Sequence, residues 1–312
     1  MFTPALPRSL PWLLSLLLAA PCAAAPTGRT LEAAPSSCDA ARAAAPAPPA
    51  VASARLNDSR AVAGRKDIAW AWLGSPTSRY SHAALGSSLH AGSLHVLARQ
   101  GRRRGLVLAW QLPPERVFED RVPRLVDLDD DGRDEIVLVE AHAEFGAALV
   151  VLGLESAGDG AAALRERARS PWIGTPQRWL NPAGAADFDG DGRLEVAAVL
   201  TPHLDGVLTL YRYQPPRLLP LAGAPGFSNH RNGTLEQQLT TVVQRGRDRP
   251  VLLLPGLERR SLHAMTWQPG GGWVALGPPL ALAASIQRID PLPDGACVHI
   301  DGGARQRVRL RD

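Results

Sequence analysis

Two acidic segments with one spelling limit the folds open to this chain. They are Asp127-Leu-Asp129-Asp-Asp131-Gly132-Arg133-Asp-Glu135 and Asp187-Phe-Asp189-Gly-Asp191-Gly192-Arg193-Leu-Glu195. Both read D-x-D-x-D-G-x-x-E, and both run directly into an apolar stretch. Carboxylates at positions 1, 3 and 5 can converge as the chain curls, and an all-oxygen shell suits a hard cation such as calcium. Gly132 and Gly192 supply the positive φ that a sharp turn needs at position 6. Arg133 and Arg193 at position 7 would offer backbone carbonyls, and Glu135 and Glu195 would close the shell. Carboxylates crowded this closely repel one another unless a cation lies among them. A single D-x-D-G can be a solvated turn, but two complete matches predict two calcium sites. One uses Asp127, Asp129, Asp131, Glu135 and the Arg133 carbonyl. The other uses Asp187, Asp189, Asp191, Glu195 and the Arg193 carbonyl.

An EF-hand begins the same way but requires a bidentate Glu at position 12 and a helix after the loop. Position 12 is Leu138 in one segment and Ala198 in the other. The residues after the two loops are Ile136-Val-Leu-Val139 and Val196-Ala-Ala-Val-Leu200, which read as strands. The loops therefore join strands, and a helical calcium sensor is excluded.

The same loop-then-hairpin arrangement recurs without the acidic residues. Ser93–Leu97 is followed by Leu106–Trp110, Val251–Leu254 by Leu262–Trp267, and Ala296–Ile300 by Arg307–Leu310. Anchors near 93, 135, 195, 250 and 296 are spaced 42 to 60 residues apart. Repeats of this length, built of short strands and Gly/Pro/Asp turns, point to propeller blades. Arg116–Glu119 and Gly272–Leu276 read as fourth strands of the first and fourth repeats. The fifth repeat lacks a fourth strand because the sequence ends at Asp312. Ile68-Ala-Trp-Ala-Trp72 could complete it and close the ring. The expectation is an all-β chain: a β-propeller of about five four-stranded blades over residues 66–312, its ring closed by an N-terminal strand.

These loops and their hydrophobic strands resemble FG-GAP/VCBS repeats, the blade type of integrin α-subunit propellers and of many secreted bacterial proteins. The resemblance implies calcium held in the loops between strands. Its motifs cover the second and third repeats. The corresponding positions are Leu85, Ser87, Leu89 and Ser93 in the first repeat, and Val242, Gln244, Gly246 and Pro250 in the fourth. In the fifth they are Arg288, Asp290, Leu292 and Ala296. None of these sets makes an anionic cage, so three blades are expected to be metal-free.

Arg8 followed by Leu13–Ala20 and then Ala23-Ala24-Ala25 reads as a signal peptide over residues 1–25. The apolar run is too short for a membrane span, and no other stretch is long enough. The expected location is secreted or periplasmic, with lipidation at Cys22 as the alternative. Residues 26–60, rich in Ala and Pro, read as a flexible segment. Cys38 and Cys297 remain after cleavage and could pair outside the cytoplasm, or stay as separate thiols. The net charge of +4 gives no support to nucleic-acid binding.

No H-E-x-x-H, C-x-x-C, P-loop or G-x-S-x-G signature is present, so no catalytic residue is assigned. The favoured reading is a non-enzymatic scaffold that binds a protein or glycan on one propeller face. The alternative is a hydrolase or lyase with a pocket at the central channel, which would require residues such as His95, His263 and His299 to converge with a carboxylate. Arg102-Arg103-Arg104 and the alternating Arg305, Arg307, Arg309 and Arg311 are candidate basic patches. Trp70, Trp72, Trp110 and Trp267 are candidate inter-blade packing, or a carbohydrate surface if exposed.

Overall fold

The computed structural model describes residues 29–34, 38, 51, 55–99, 104–156 and 162–311. The apolar run read as a signal peptide, and Arg102 and Arg103, lie outside them. Every named element among the described residues is a β-strand.

The 22 named strands form five blades, each four strands across; in the second and fourth blades two short strands share one edge position. Strand β1 (Thr30–Ala34) belongs to the last group. The first blade is β2 (Val62–Ala63), β3 (Ile68–Thr77), β4 (His90–Arg99) and β5 (Arg104–Gln111), paired in that order. In the second, β6 (Arg116–Phe118) and β7 (Arg124–Val126) share one edge of β8 (Glu135–His142). Strands β9 (Gly146–Ser156) and β10 (Ala162–Arg169) complete it. The third is β11 (Leu180–Ala186), β12 (Glu195–Leu200), β13 (Val207–Gln214) and β14 (Arg217–Ala224). The fourth is β15 (Thr241–Val243), β16 (Val251–Pro255) and β17 (Ser261–Gln268), edged by β18 (Gly272–Ala275) and β19 (Leu280–Ala281). The fifth is β20 (Ile286–Leu292), β21 (Gly295–Ile300) and β22 (Arg305–Arg311), completed by β1.

The second strand of each central blade is apolar on both faces, because side chains alternate sides and each side meets another blade. On β8, Ile136 and Leu138 pack toward the first blade, while Val137 and Val139 pack toward the third. On β12, Val196 and Ala198 face the second blade, and Ala197 and Val199 the fourth. On β16, Leu252 and Leu254 face the third blade, and Val251 and Leu253 the fifth. This double burial explains why the runs after the acidic loops are continuous rather than alternating. The architecture is a β-propeller whose blades are joined through these four clusters; among the described residues no cluster joins the first blade to the fifth.

Three expectations are corrected. The strand that completes the last blade is Thr30–Ala34, in register Thr30↔Arg311 to Ala34↔Arg307, not Ile68–Trp72. It comes from the segment read as a flexible tether, and Leu56 of that segment is also buried. The first blade is offset by one strand: Ser93–Leu97 and Leu106–Trp110 fall on its third and outer strands, and Arg116–Phe118 pairs with β8 of the second blade. Any antiparallel hairpin looks alike in sequence, so without a motif the spacing could not say which pair of strands it marked. The loop equivalent to the acidic segments in the first blade is therefore residues 64–67, which includes Lys66, and not the stretch from Leu85 to Ser93.

Cys38 and Cys297 form a disulfide with Cα atoms 5.7 Å apart, which fastens the N-terminal segment to β21 just after β1 leaves the sheet. The alternating arginines of β22 are not a free basic patch. Arg307 and Arg309 pair with Asp294, and Arg311 with Glu32. Trp72 and Trp267 are buried, the first stacked on His95 and the second edge-on to Trp273.

Candidate metal centre

Both acidic segments connect the inner strand of a blade to its second strand. They are therefore neighbours on the same face of the propeller. In the first, carboxylate oxygens of Asp127, Asp129 and Glu135 lie within 4.8 Å of one another; Asp187, Asp189 and Glu195 do the same in the second. Three of the five expected ligands in each loop thus come together.

The backbone explains the convergence. Gly132 has φ 83° and Gly192 has φ 89°, and position 4 is left-handed too, at Asp130 (φ 59°) and Gly190 (φ 78°). These turns bring the N–H of Gly132 to Asp127 Oδ2 at 3.1 Å and that of Gly192 to Asp187 Oδ2 at 3.0 Å. Each Glu opens the next strand and reaches back across the loop. Glu135 Oε2 accepts the Leu128 N–H at 2.8 Å, and Glu195 Oε2 accepts the Phe188 N–H at 3.0 Å. Position 9 therefore closes the loop by hydrogen bonding as well as presenting an oxygen.

Asp131 and Asp191, the position-5 residues, each hydrogen-bond within their own loop. They are exposed and accept the N–H groups of Arg133 and Arg193, both at 2.9 Å, outside the two oxygen clusters. The Arg133 side chain extends away, donating from Nε to Asp67 Oδ2 at 3.1 Å.

A cation fits these clusters on two grounds. Asp127 Oδ1 and Glu195 Oε1 are buried with no hydrogen-bond partner, one orphan oxygen per loop. Such groups are costly unless paired. Burial, reinforced by the neighbouring aspartates, also pushes the carboxyls of Glu135 and Glu195 up to about 7. A cation would reverse both effects. The protein's own cations already touch the clusters. Lys66 Nζ lies 3.2 Å from Asp127 Oδ2, Arg212 pairs with Asp189 Oδ2, and Arg249 donates to the Asp189 carbonyl at 3.0 Å.

The histidines singled out from strand positions do not converge. His95 contacts Ser93 Oγ at 2.8 Å in the first blade and His263 contacts Ser261 Oγ at 3.1 Å in the fourth. His299 contacts Asp290 Oδ2 at 2.8 Å in the fifth. A different set does come together, on the face opposite the acidic loops. His82 Nδ1 lies 2.7 Å from the fully buried Glu119. The Trp179 indole donates to the Glu119 carbonyl at 2.9 Å and stacks on His203. His203 Nε2 meets His230 Nδ1 at 2.8 Å, and His230 Nε2 meets the Thr234 carbonyl at 2.9 Å. Because a carbonyl only accepts, His230 donates from Nε2 and His203 donates to His230. Burial, then Arg259 and His82, lowers His203 to about 4; burial, then His203, lowers His230 to about 3. These residues come from separate inter-strand loops with no shared spacing, so no sequence signal marked them.

The FG-GAP-like repeat family matches residues 127–198, a span that begins at the first acidic aspartate and ends just past the second loop. No characterised protein matches the chain.

Proposed function

Proceeding from an FG-GAP-repeat β-propeller, we propose a calcium-braced, secreted or periplasmic scaffold that binds a protein or glycan on a propeller face. The observation that carries the calcium reading is the paired carboxylate triads, each with a buried orphan oxygen. Each triad bridges the inner and second strands of its blade, so an ion there ties two strands at their open end. The bound ion stabilises the folded state by mass action. The residues that would hold it are Asp127, Asp129 and Glu135, and Asp187, Asp189 and Glu195. Asp131, Asp191 and the carbonyls of Arg133 and Arg193 would complete the shells.

A disulfide and an N-terminal apolar run ending in small residues support a compartment outside the cytoplasm. A binding role is favoured over catalysis because His95, His263 and His299 sit in separate blades, each with its own partner, and do not meet at one carboxylate. The test is a thermal melt in EDTA and then in excess calcium. The midpoint should rise with calcium in the native chain and stay fixed in the Asp127→Ala/Asp187→Ala variant. An equal midpoint in both buffers for the native chain would sink the calcium reading.

A further inference from the structure

The central channel has a chemistry that neither the repeat nor the metal loops account for. It forms a cavity of about 320 Å³, walled by the inner strands of the second and third blades and by the segments entering the first and fourth. That volume is within the ordinary range for small-ligand sites, about 300–1,000 Å³.

Its polar residues gather at one end of the axis, with Val122 among them, and the other end is apolar. Arg60 lies just before β2, and Gln237, Gln238 and Thr240 lie just before β15. Arg124 opens β7, and its Nη1 turns back to donate to Asp120 Oδ2 at 2.7 Å and to the Val122 carbonyl at 3.0 Å. All five therefore sit at the end where the chain enters the inner strands. The opposite end, toward the acidic loops, is lined by Leu125, Val126, Ala185 and Val196. Inner strands are short, so a few residues separate a cationic mouth from an apolar floor.

The charges at the mouth are unbalanced. Asp120 neutralises Arg124, and no Asp or Glu lines the cavity. Arg60 is an exposed residue whose backbone N–H is fixed to the Arg121 carbonyl at 2.8 Å and whose guanidinium has no hydrogen-bond or ion-pair partner among the described residues. The neighbouring amides are already engaged: Gln237 bonds to Arg121 N and Asn181, and Gln238 to the Thr240 carbonyl. The mouth thus offers one free planar cation on a fixed backbone, a geometry that matches a carboxylate fork.

We propose that the channel binds a small amphipathic carboxylate, head group at Arg60 and apolar tail toward Val126 and Ala185. This goes beyond the face-binding scaffold, because it assigns a small molecule to the axis and makes no use of the metal loops. The whole chain is titrated calorimetrically with octanoate, with 1-octanol (tail without charge) and with sulfate (charge without tail), all in excess calcium. Keeping calcium in excess leaves the loop reading standing or falling on its own melt. Octanoate should bind one per chain, and each half-probe should bind at least tenfold more weakly. Arg60→Gln should weaken octanoate by roughly tenfold or more, the loss expected for one charge-assisted contact. Ala185→Leu, which shortens the apolar end, should weaken octanoate and leave sulfate unchanged. Absence of octanoate binding would overturn the proposal. So would octanol or sulfate binding as tightly as octanoate, or an affinity indifferent to Arg60→Gln.

Discussion

Replacing the chain's one lysine should strengthen calcium binding at the first loop. Lys66 reaches from the first blade's equivalent loop to Asp127, Nζ to Oδ2 at 3.2 Å, and competes with a cation for that oxygen. At this separation the Coulomb energy is ~1.3 kcal/mol in bulk water and ~5 kcal/mol at an effective dielectric of ~20. The Lys66 side chain is 44% exposed, so solvent screening favours the lower figure. Losing ~1 kcal/mol of competition should tighten calcium by about fivefold. The assay is calorimetric titration of Lys66→Gln in an Asp187→Ala background, which silences the second loop. The Lys66 backbone N–H bonds Asp134 at 2.9 Å and is retained in the variant, so the loop should keep its shape. An affinity equal to or weaker than that of the Asp187→Ala parent would refute this competition.

Three further outcomes rest on particular contacts. His203 and His230 have folded-state values near 4 and 3, below the unfolded value of ~6.5. Between pH ~6.5 and ~4 the unfolded chain binds protons that the folded chain refuses, so stability should fall with pH, by at most ~1.4 kcal/mol per unit for each imidazole. Glu135 and Glu195, raised to about 7, act in the opposite direction, so the check is the change in urea midpoint from neutral pH to pH ~5 in the native chain against that in a His203→Gln/His230→Gln variant; a native midpoint that loses no more than the variant's contradicts it. Removing the disulfide, whose cysteines are 259 residues apart, with Cys38→Ser/Cys297→Ser should cost ~2–4 kcal/mol in denaturant unfolding; no change would mean that β1 docks without it. Gly206 has φ 59°, and a Cβ there would lie 1.7 Å from the Phe227 carbonyl oxygen. Gly206→Ala should therefore lower stability by more than ~2 kcal/mol, and a melting point within error of the native chain would show that the loop yields.

How much of this was legible in the sequence differs from blade to blade. The second and third blades were readable because Gly132, Gly192 and the regularly placed aspartates mark one connection, inner strand to second strand, and so fix the register. The first blade carries no such mark. Its inner strand is only Val62–Ala63, and its equivalent loop presents Lys66 where its neighbours present carboxylates. An N-terminal strand does complete the last blade, but it is not the more hydrophobic segment that carries Trp70 and Trp72. The strand used, Thr30–Ala34, is an outer edge with little burial, so it has no hydrophobic signature to find. In the metal loops, spacing marks Asp131 and Asp191 as ligands, but it does not show the hydrogen bonds that hold them before an ion binds. The structure engages them with the next N–H but one, a competition that a short acidic side chain makes with any turn. The His82–Glu119 and His203–His230 contacts, and the cationic mouth of the channel, depend on which loops the propeller brings to one face, and no local pattern encodes that.

The central claim is that two oxygen clusters on adjacent blades each hold one calcium ion. Equilibrium dialysis of the native chain against calcium, with the Asp127→Ala and Asp187→Ala variants alongside, measures it directly. Two ions per native chain are expected, one in each single variant and none in the double variant. No bound calcium in the native chain, or a stoichiometry unmoved by both substitutions, would contradict it.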